Sequence, residues 1–160
     1  NQLNYLMNQK THDVFILNEE SYNIPEDLKC LVYSILSTED VVDEKIVSVS
    51  FINESEMVNL HKEYIGYAQS TDVLSFEANE LDPESGKEFL GDILICYPYV
   101  VRQSLTLGNN LFSEIKLMLI HGMLHLLGYA HDTEEGKLAM WHRQSLLLTK
   151  NSIDINQLPE

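Results

Sequence analysis

The sequence predicts an α+β fold: a single domain with a small mixed β-sheet packed with helices and a central buried helix. Three observations carry this. Short apolar or alternating runs of strand length are interleaved with longer stretches of helical spacing, in the order β-α-β-α-β-β-α-α-α. The 160 residues contain no internal repeat, low-complexity tract or Pro/Gly-rich linker, so one domain over 1–160 with a real core is expected. Finally, the stretch from Leu111 to Leu127 is apolar nearly all round, the mark of a helix enclosed by its neighbours.

Asp13–Asn18 (DVFILN) is a short apolar run that suits a strand. After Asn23 and Pro25, Leu28, Leu31, Val32, Ile35 and Leu36 recur at helical spacing, with proline near the first turn. Lys45–Ile52 (KIVSVSFI) alternates and reads as a half-buried strand. Glu54–Tyr64 sets Met57, Val58, Leu60 and Tyr64 on one helical face. Asp72–Glu77 (DVLSFE) and Phe89–Tyr97 (FLGDILICY) are two further strands. Between them Asp82-Pro83 and Ser85-Gly86 signal a hairpin-type connection. Tyr99–Leu107 is a short helix ended by Gly108, and Gly128 stops the central helix in the same way. Asp132, with Glu135 three residues on, is read as the N-cap of a last helix reaching Lys150.

Composition restricts the partners. The formal charge of −15 argues against a broad basic grip on nucleic acid, and no DNA binding is expected. No apolar run is long enough to span a membrane, and NQLNYLMNQK lacks the apolar segment of a signal peptide. Cys30 and Cys96 are isolated and suit thiols in a reducing compartment. Together these features predict a cytoplasmic protein.

The chemistry is concentrated in His121–His131, HGMLHLLGYAH. Residues four apart on a helix lie about 40° from each other in projection, so His121 and His125 share a face. The glycine stop at Gly128 lets the chain return His131 toward the same point. Three nitrogens with an open fourth position make the arrangement of a catalytic zinc site. The zinc-protease pattern has a glutamate after its first histidine as general base; here that position is Gly122. A peptidase reading is thereby demoted, while Gly122 permits close approach of a backbone or ligand to the helix.

HGMLHLLGYAHD resembles the HGxLHLxGYDH signature of the YbeY family of endoribonucleases and rRNA maturation factors. Thr71–Phe76 (TDVLSF) is similar to that family's second motif and Leu90–Ile93 (LGDI) to its third, in the family's order. The resemblance spans about Asn59 to Glu135. It implies one zinc ion per chain on His121, His125 and His131, with nickel, cobalt and iron as alternatives. It also implies metal-dependent cleavage of single-stranded RNA through metal-bound water, in 16S rRNA 3′-end processing and ribosome quality control. Ribosomal particles or ribosome-associated proteins are the implied partners. Asp92 is expected in the cleft as a catalytic carboxylate, and Asp72, Ser75 and Phe76 as substrate contacts. The plainer reading has Asp72 capping a turn, Ser75 pointing outward and Asp92 bonded to backbone near Gly91.

The chain departs from the family pattern at four positions. Ile65 stands where an arginine is usual, His61 for asparagine, Ser70 for proline and Ala130 for aspartate. Ile65 cannot steady developing phosphate charge, and Ala130 removes a partner for a ligand histidine that Asp132 is placed to replace. Lys62, Arg102 and Arg143 are the cations that would compensate. Two alternatives follow: another zinc metallohydrolase, peptidase-like and using Asp92 or Asp72, or a noncatalytic ribosome-associated metal-binding factor. His12, His61 and His142 are expected at the surface, and Trp141 and Leu146–Leu148 are expected to pack the last helix.

Overall fold

The computed structural model describes residues 12–159; the leader reading of Asn1–Lys10 lies outside them. The elements follow in the expected order: β1 (Asp13–Leu17), α1 (Leu28–Thr38), β2 (Lys45–Ile52), α2 (Glu54–Ile65), β3 (Val73–Glu77), β4 (Glu88–Cys96), α3 (Tyr97–Leu107), α4 (Leu111–Leu126) and α5 (Glu134–Lys150). The strands form one sheet ordered β1-β2-β4-β3. β1 with β2 and β2 with β4 are parallel, as helical crossovers between them require, while β3 runs antiparallel to β4. The β3–β4 connection, residues 78–87, contains a tight turn in which the Asp82 carboxylate accepts from the Ser85 hydroxyl and from the Glu84 and Ser85 amides.

Alternation decides which strand residues face which layer. Val47, Val49 and Phe51 of β2 and Ile93 and Ile95 of β4 join Val32, Ile35 and Leu36 of α1 and Ile115, Leu119 and Met123 of α4 in the main core. Side chains of the other parity meet α2: Ile52, Met57 and Cys96 form a second, smaller cluster with Leu60, Leu74 and Leu94 packed on it. α4 runs through the middle of the main core, and its residues from Leu117 to Ile120 are all buried. Cys30 and Cys96 form no disulfide. Among the described residues no helix is long and apolar enough to cross a membrane.

Several local expectations are corrected. The last helix is capped by Thr133, not Asp132: the Thr133 hydroxyl accepts from the Gly136 amide at 3.0 Å, and Glu135 falls one position too early for a capping box. His12 and His61 are buried, each held by backbone. His12 Nδ1 accepts from the Lys45 amide at 3.1 Å, and burial pushes the imidazole pKa down. His61 Nδ1 lies 2.7 Å from the Tyr67 carbonyl. His142 is exposed, as expected. On α2 only Met57 and His61 are buried; Tyr64 is exposed and tilts against Phe76 instead.

Candidate metal centre

The ends of α4 explain how three distant histidines meet. Asn110 opens the helix, its side-chain oxygen accepting from the Phe112 and Ser113 amides. At the other end Gly128 sits at φ 97, in the left-handed region. The Gly128 amide donates to the His125 carbonyl and the Tyr129 amide to the Leu124 carbonyl, both at 3.0 Å, which is the Schellman pattern of helix termination. The chain therefore reverses at once. Tyr129 anchors the returning loop, its hydroxyl donating to Glu39 at 3.1 Å, and Glu39 also pairs with Arg143 of α5 at 2.7 Å.

This geometry brings His121, His125 and His131 together, with one nitrogen from each lying within 4.8 Å of the others. The Nε2 atoms of His121 and His125 are 3.0 Å apart. His125 Nδ1 is 3.1 Å from the Tyr129 carbonyl, which can only accept, so this nitrogen carries the proton. His121 Nδ1 is 3.3 Å from Gln144 Oε1 and is assigned as the donor in the same way. With both Nδ1 atoms protonated, the two Nε2 atoms of neutral rings present lone pairs to each other. Such a contact is repulsive unless a cation lies between them, so the donor set fits a metal ion. The rings are kept neutral. Burial, followed by the proximity of His121 and His131, pushes His125 down to about 4. Burial likewise lowers His121, opposed by the Gln144 hydrogen bond and by Asp72.

Gln144 was missed in the sequence, although a signal exists. It is a buried polar residue on the same face of α5 as Met140, Leu147 and Leu148. The sequence offers Asp132, two residues past Ala130, as the ring partner. Asp132 is exposed and bonds none of the rings, while Gln144 and the Tyr129 carbonyl serve two of them.

The histidines open onto a cleft of about 1170 Å³ between α4, α5 and β3. Asp72 and Ser75 line it. Asp72 Oδ1 accepts from the Val73 amide at 2.7 Å, and Gln103 Nε2 bridges Asp72 Oδ2, at 3.4 Å, to the buried carboxylate of Glu114, at 2.9 Å. The Ser75 hydroxyl points inward and donates to the Gly122 carbonyl at 3.2 Å, so it fastens β3 to α4. Phe76 and Asp92 do not reach the cleft. They pair across β3 and β4 on the face turned to α2, because strand side chains alternate and Ser75 and Ile93 take the face toward α4. Asp92 is exposed there, and its expected place beside the metal is corrected, as is that of Phe76.

Gly122 also acquires a specific meaning. A Cβ there would lie 2.8 Å from Ile93 Cγ2 and 3.1 Å from Ser75 Oγ. The close neighbours are thus strand side chains, not a ligand, and position 122 points into the sheet. A glutamate at this position would have to displace Ile93 and Ser75. The expected substitute cations are elsewhere too: Arg102 is paired with Glu54, Arg143 with Glu39, and Lys62 is an exposed residue of the last turn of α2. Ile65 is exposed at the end of the same helix and does not line the cleft.

Comparison with known proteins agrees with this architecture. The sequence matches the family described as endoribonuclease YbeY over residues 9–152. It is 32% identical over 145 residues to the endoribonuclease YbeY of Thermoanaerobacter sp. (strain X514), covering 84% of this chain and 91% of that protein. To the Moorella thermoacetica endoribonuclease YbeY it is 35% identical over 141 residues, covering 81% and 90%. The fold resembles the solution structure of a Thermotoga maritima protein with a TM-score of 0.56, at 24% identity, covering 87% of this chain and 91% of that one. A match running through the β3 strand of the cleft wall and all three histidines leaves one assignment: the chain belongs to the endoribonuclease YbeY family.

Proposed function

We infer that this protein is a metal-dependent endoribonuclease that cleaves single-stranded RNA during rRNA maturation, at the 16S 3′ end and in ribosome quality control. One observation carries the reading: the Nε2 atoms of His121 and His125 face each other across 3.0 Å while their Nδ1 atoms lie against Gln144 Oε1 and the Tyr129 carbonyl. His131 completes the set, and zinc suits three neutral imidazoles. A zinc ion bound there supplies Lewis acidity and lowers the pKa of water without needing a glutamate at position 122.

The protein's own groups do the positioning. Gln144 and the Tyr129 carbonyl fix ring orientation and tautomer, and the Glu39–Tyr129 bond holds the loop that carries His131. Asp72, an acceptor-only carboxylate in the cleft wall, suits a ribose hydroxyl or the attacking water better than a phosphate. A peptidase is disfavoured because position 122 faces Ile93. Ribosomal particles are the natural source of the substrate, and the cytoplasm is the compartment that holds them.

Elemental analysis of purified protein tests the reading. About one zinc per chain is expected in the wild type, with loss on His121→Ala or His125→Ala. Equal metal content in all three would overturn the triad. Metal-replete protein should cut single-stranded RNA, and His131→Ala should do so far more slowly. Intact RNA with ribosomal binding retained would replace the enzyme by a noncatalytic factor.

A further inference from the structure

Trp141 does not pack α5 into the core. That role falls to Met140, Gln144, Leu147 and Leu148, while Trp141, one residue past Met140, is 48% exposed and lines the histidine cleft. Lys137, one turn earlier, also lines the cleft and holds its ammonium over the indole, 4.8 Å from the ring centroid. Among the described residues of the cleft wall Lys137 is the single lysine or arginine, facing the acidic Asp72 and Glu77 in a chain of net charge −15.

We propose that Trp141 and Lys137 form a nucleotide subsite, in which a base of single-stranded RNA stacks on the open part of the indole and the lysine ammonium contacts the adjoining phosphate. This rests on the endoribonuclease reading and specifies how that site grips its substrate. Trp141 precedes Gln144 by three residues, about 4.5 Å along the helix axis. Gln144 is the partner of His121, so the platform stands next to the metal centre. An aromatic face binds any unstacked base, which suits a single strand and excludes a duplex whose bases are stacked on one another. The cation–π contact keeps the ammonium at the mouth of the cleft, so the cation is already in place where the phosphate arrives. It supplies local positive charge in the cleft against an acidic background that would otherwise repel RNA.

The chain contains one tryptophan, so intrinsic indole fluorescence reports this position alone. Metal-replete protein is mixed in a stopped flow with a short oligouridylate, or with an abasic ribose-phosphate strand of the same length, and read before turnover. Saturable quenching by oligouridylate and little by the abasic strand is expected. Trp141→Ala should weaken binding of labelled oligouridylate about 5- to 150-fold, with Trp141→Phe retaining most of it. Lys137→Gln should lower the slope of log affinity against log salt by about 0.7, the share of one single-strand phosphate contact. Equal quenching by both strands, or unchanged binding by folded Trp141→Ala, would overturn the subsite. RNA cleavage without quenching removes the subsite and leaves the nuclease; quenching without cleavage removes the nuclease and leaves the subsite.

Discussion

Replacing Gly122 by alanine tests whether the glycine is there for packing. On an exposed helix interior the change would gain about 0.5–1 kcal/mol from reduced backbone freedom. Here the new methyl meets Ile93 Cγ2 at 2.8 Å, Ser75 Oγ at 3.1 Å and Ile93 Cδ1 at 3.3 Å. The Cδ1 end of Ile93 can swing aside. Cγ2 cannot, because it is attached directly to Cβ of a β-branched, fully buried strand residue with a stiff χ1. Overpacking of this kind costs about 1–3 kcal/mol. Forcing α4 off the sheet also stretches the Ser75–Gly122 hydrogen bond, worth about 1 kcal/mol. The balance is a net loss of about 1–3 kcal/mol, measurable as a lower urea midpoint by far-UV circular dichroism in metal-free protein. Zinc affinity should fall as well, since His121 adjoins the displaced position. An alanine variant as stable as the wild type, or more so, would refute the argument. Gly122→Glu, which restores the zinc-protease pattern, should fail to fold and should not become a peptidase, because its carboxylate would be driven against Ile93.

Other expectations follow from the same contacts. Gln144→Leu should keep the fold but lower zinc affinity about 10- to 100-fold, since the His121 ring loses the partner that sets its tautomer; isothermal titration with unchanged affinity would refute this. In metal-free protein, stability should be full above pH 6.5 and fall as pH drops toward 4. The unfolded chain binds a proton at His125 near 6.5, whereas the folded chain does not until about 4. His125→Gln should flatten that limb of a urea-midpoint series across pH; equal slopes in both proteins would contradict the assignment. Asn109→Ala removes the donor 2.7 Å from the fully buried Glu114 carboxylate and should cost about 1–3 kcal/mol, checked by urea unfolding.

Much of the fold is local information. The alternation of KIVSVSFI and the spacing of Leu28, Leu31, Val32, Ile35 and Leu36 reproduce β2 and the buried face of α1. The left-handed glycines at 108 and 128 end α3 and α4 where the sequence placed those ends. The cap of α5 is not local information, because Asp132 and Thr133 are both good capping residues and only the backbone direction selects Thr133. The burial of His12 and His61 is hidden for a related reason: each histidine is buried where the fold brings a backbone amide or carbonyl to it, and spacing does not record that.

By itself, then, the sequence determined the helix that carries two histidines, the turn that returns the third, and the absence of a glutamate beside the first. These depend on neighbours within ten residues, governed by helical periodicity and the conformational freedom of glycine. Tertiary structure decided everything that depends on which elements come to lie beside one another. It turned Asp92 and Phe76 away from the cleft and Ser75 toward the helix, because strand facing depends on what packs above the sheet. It supplied Gln144 from 23 residues away as the partner of His121. It also brought Trp141 and Lys137 to the cleft wall, where an apparent packing residue becomes half-exposed surface beside three imidazoles.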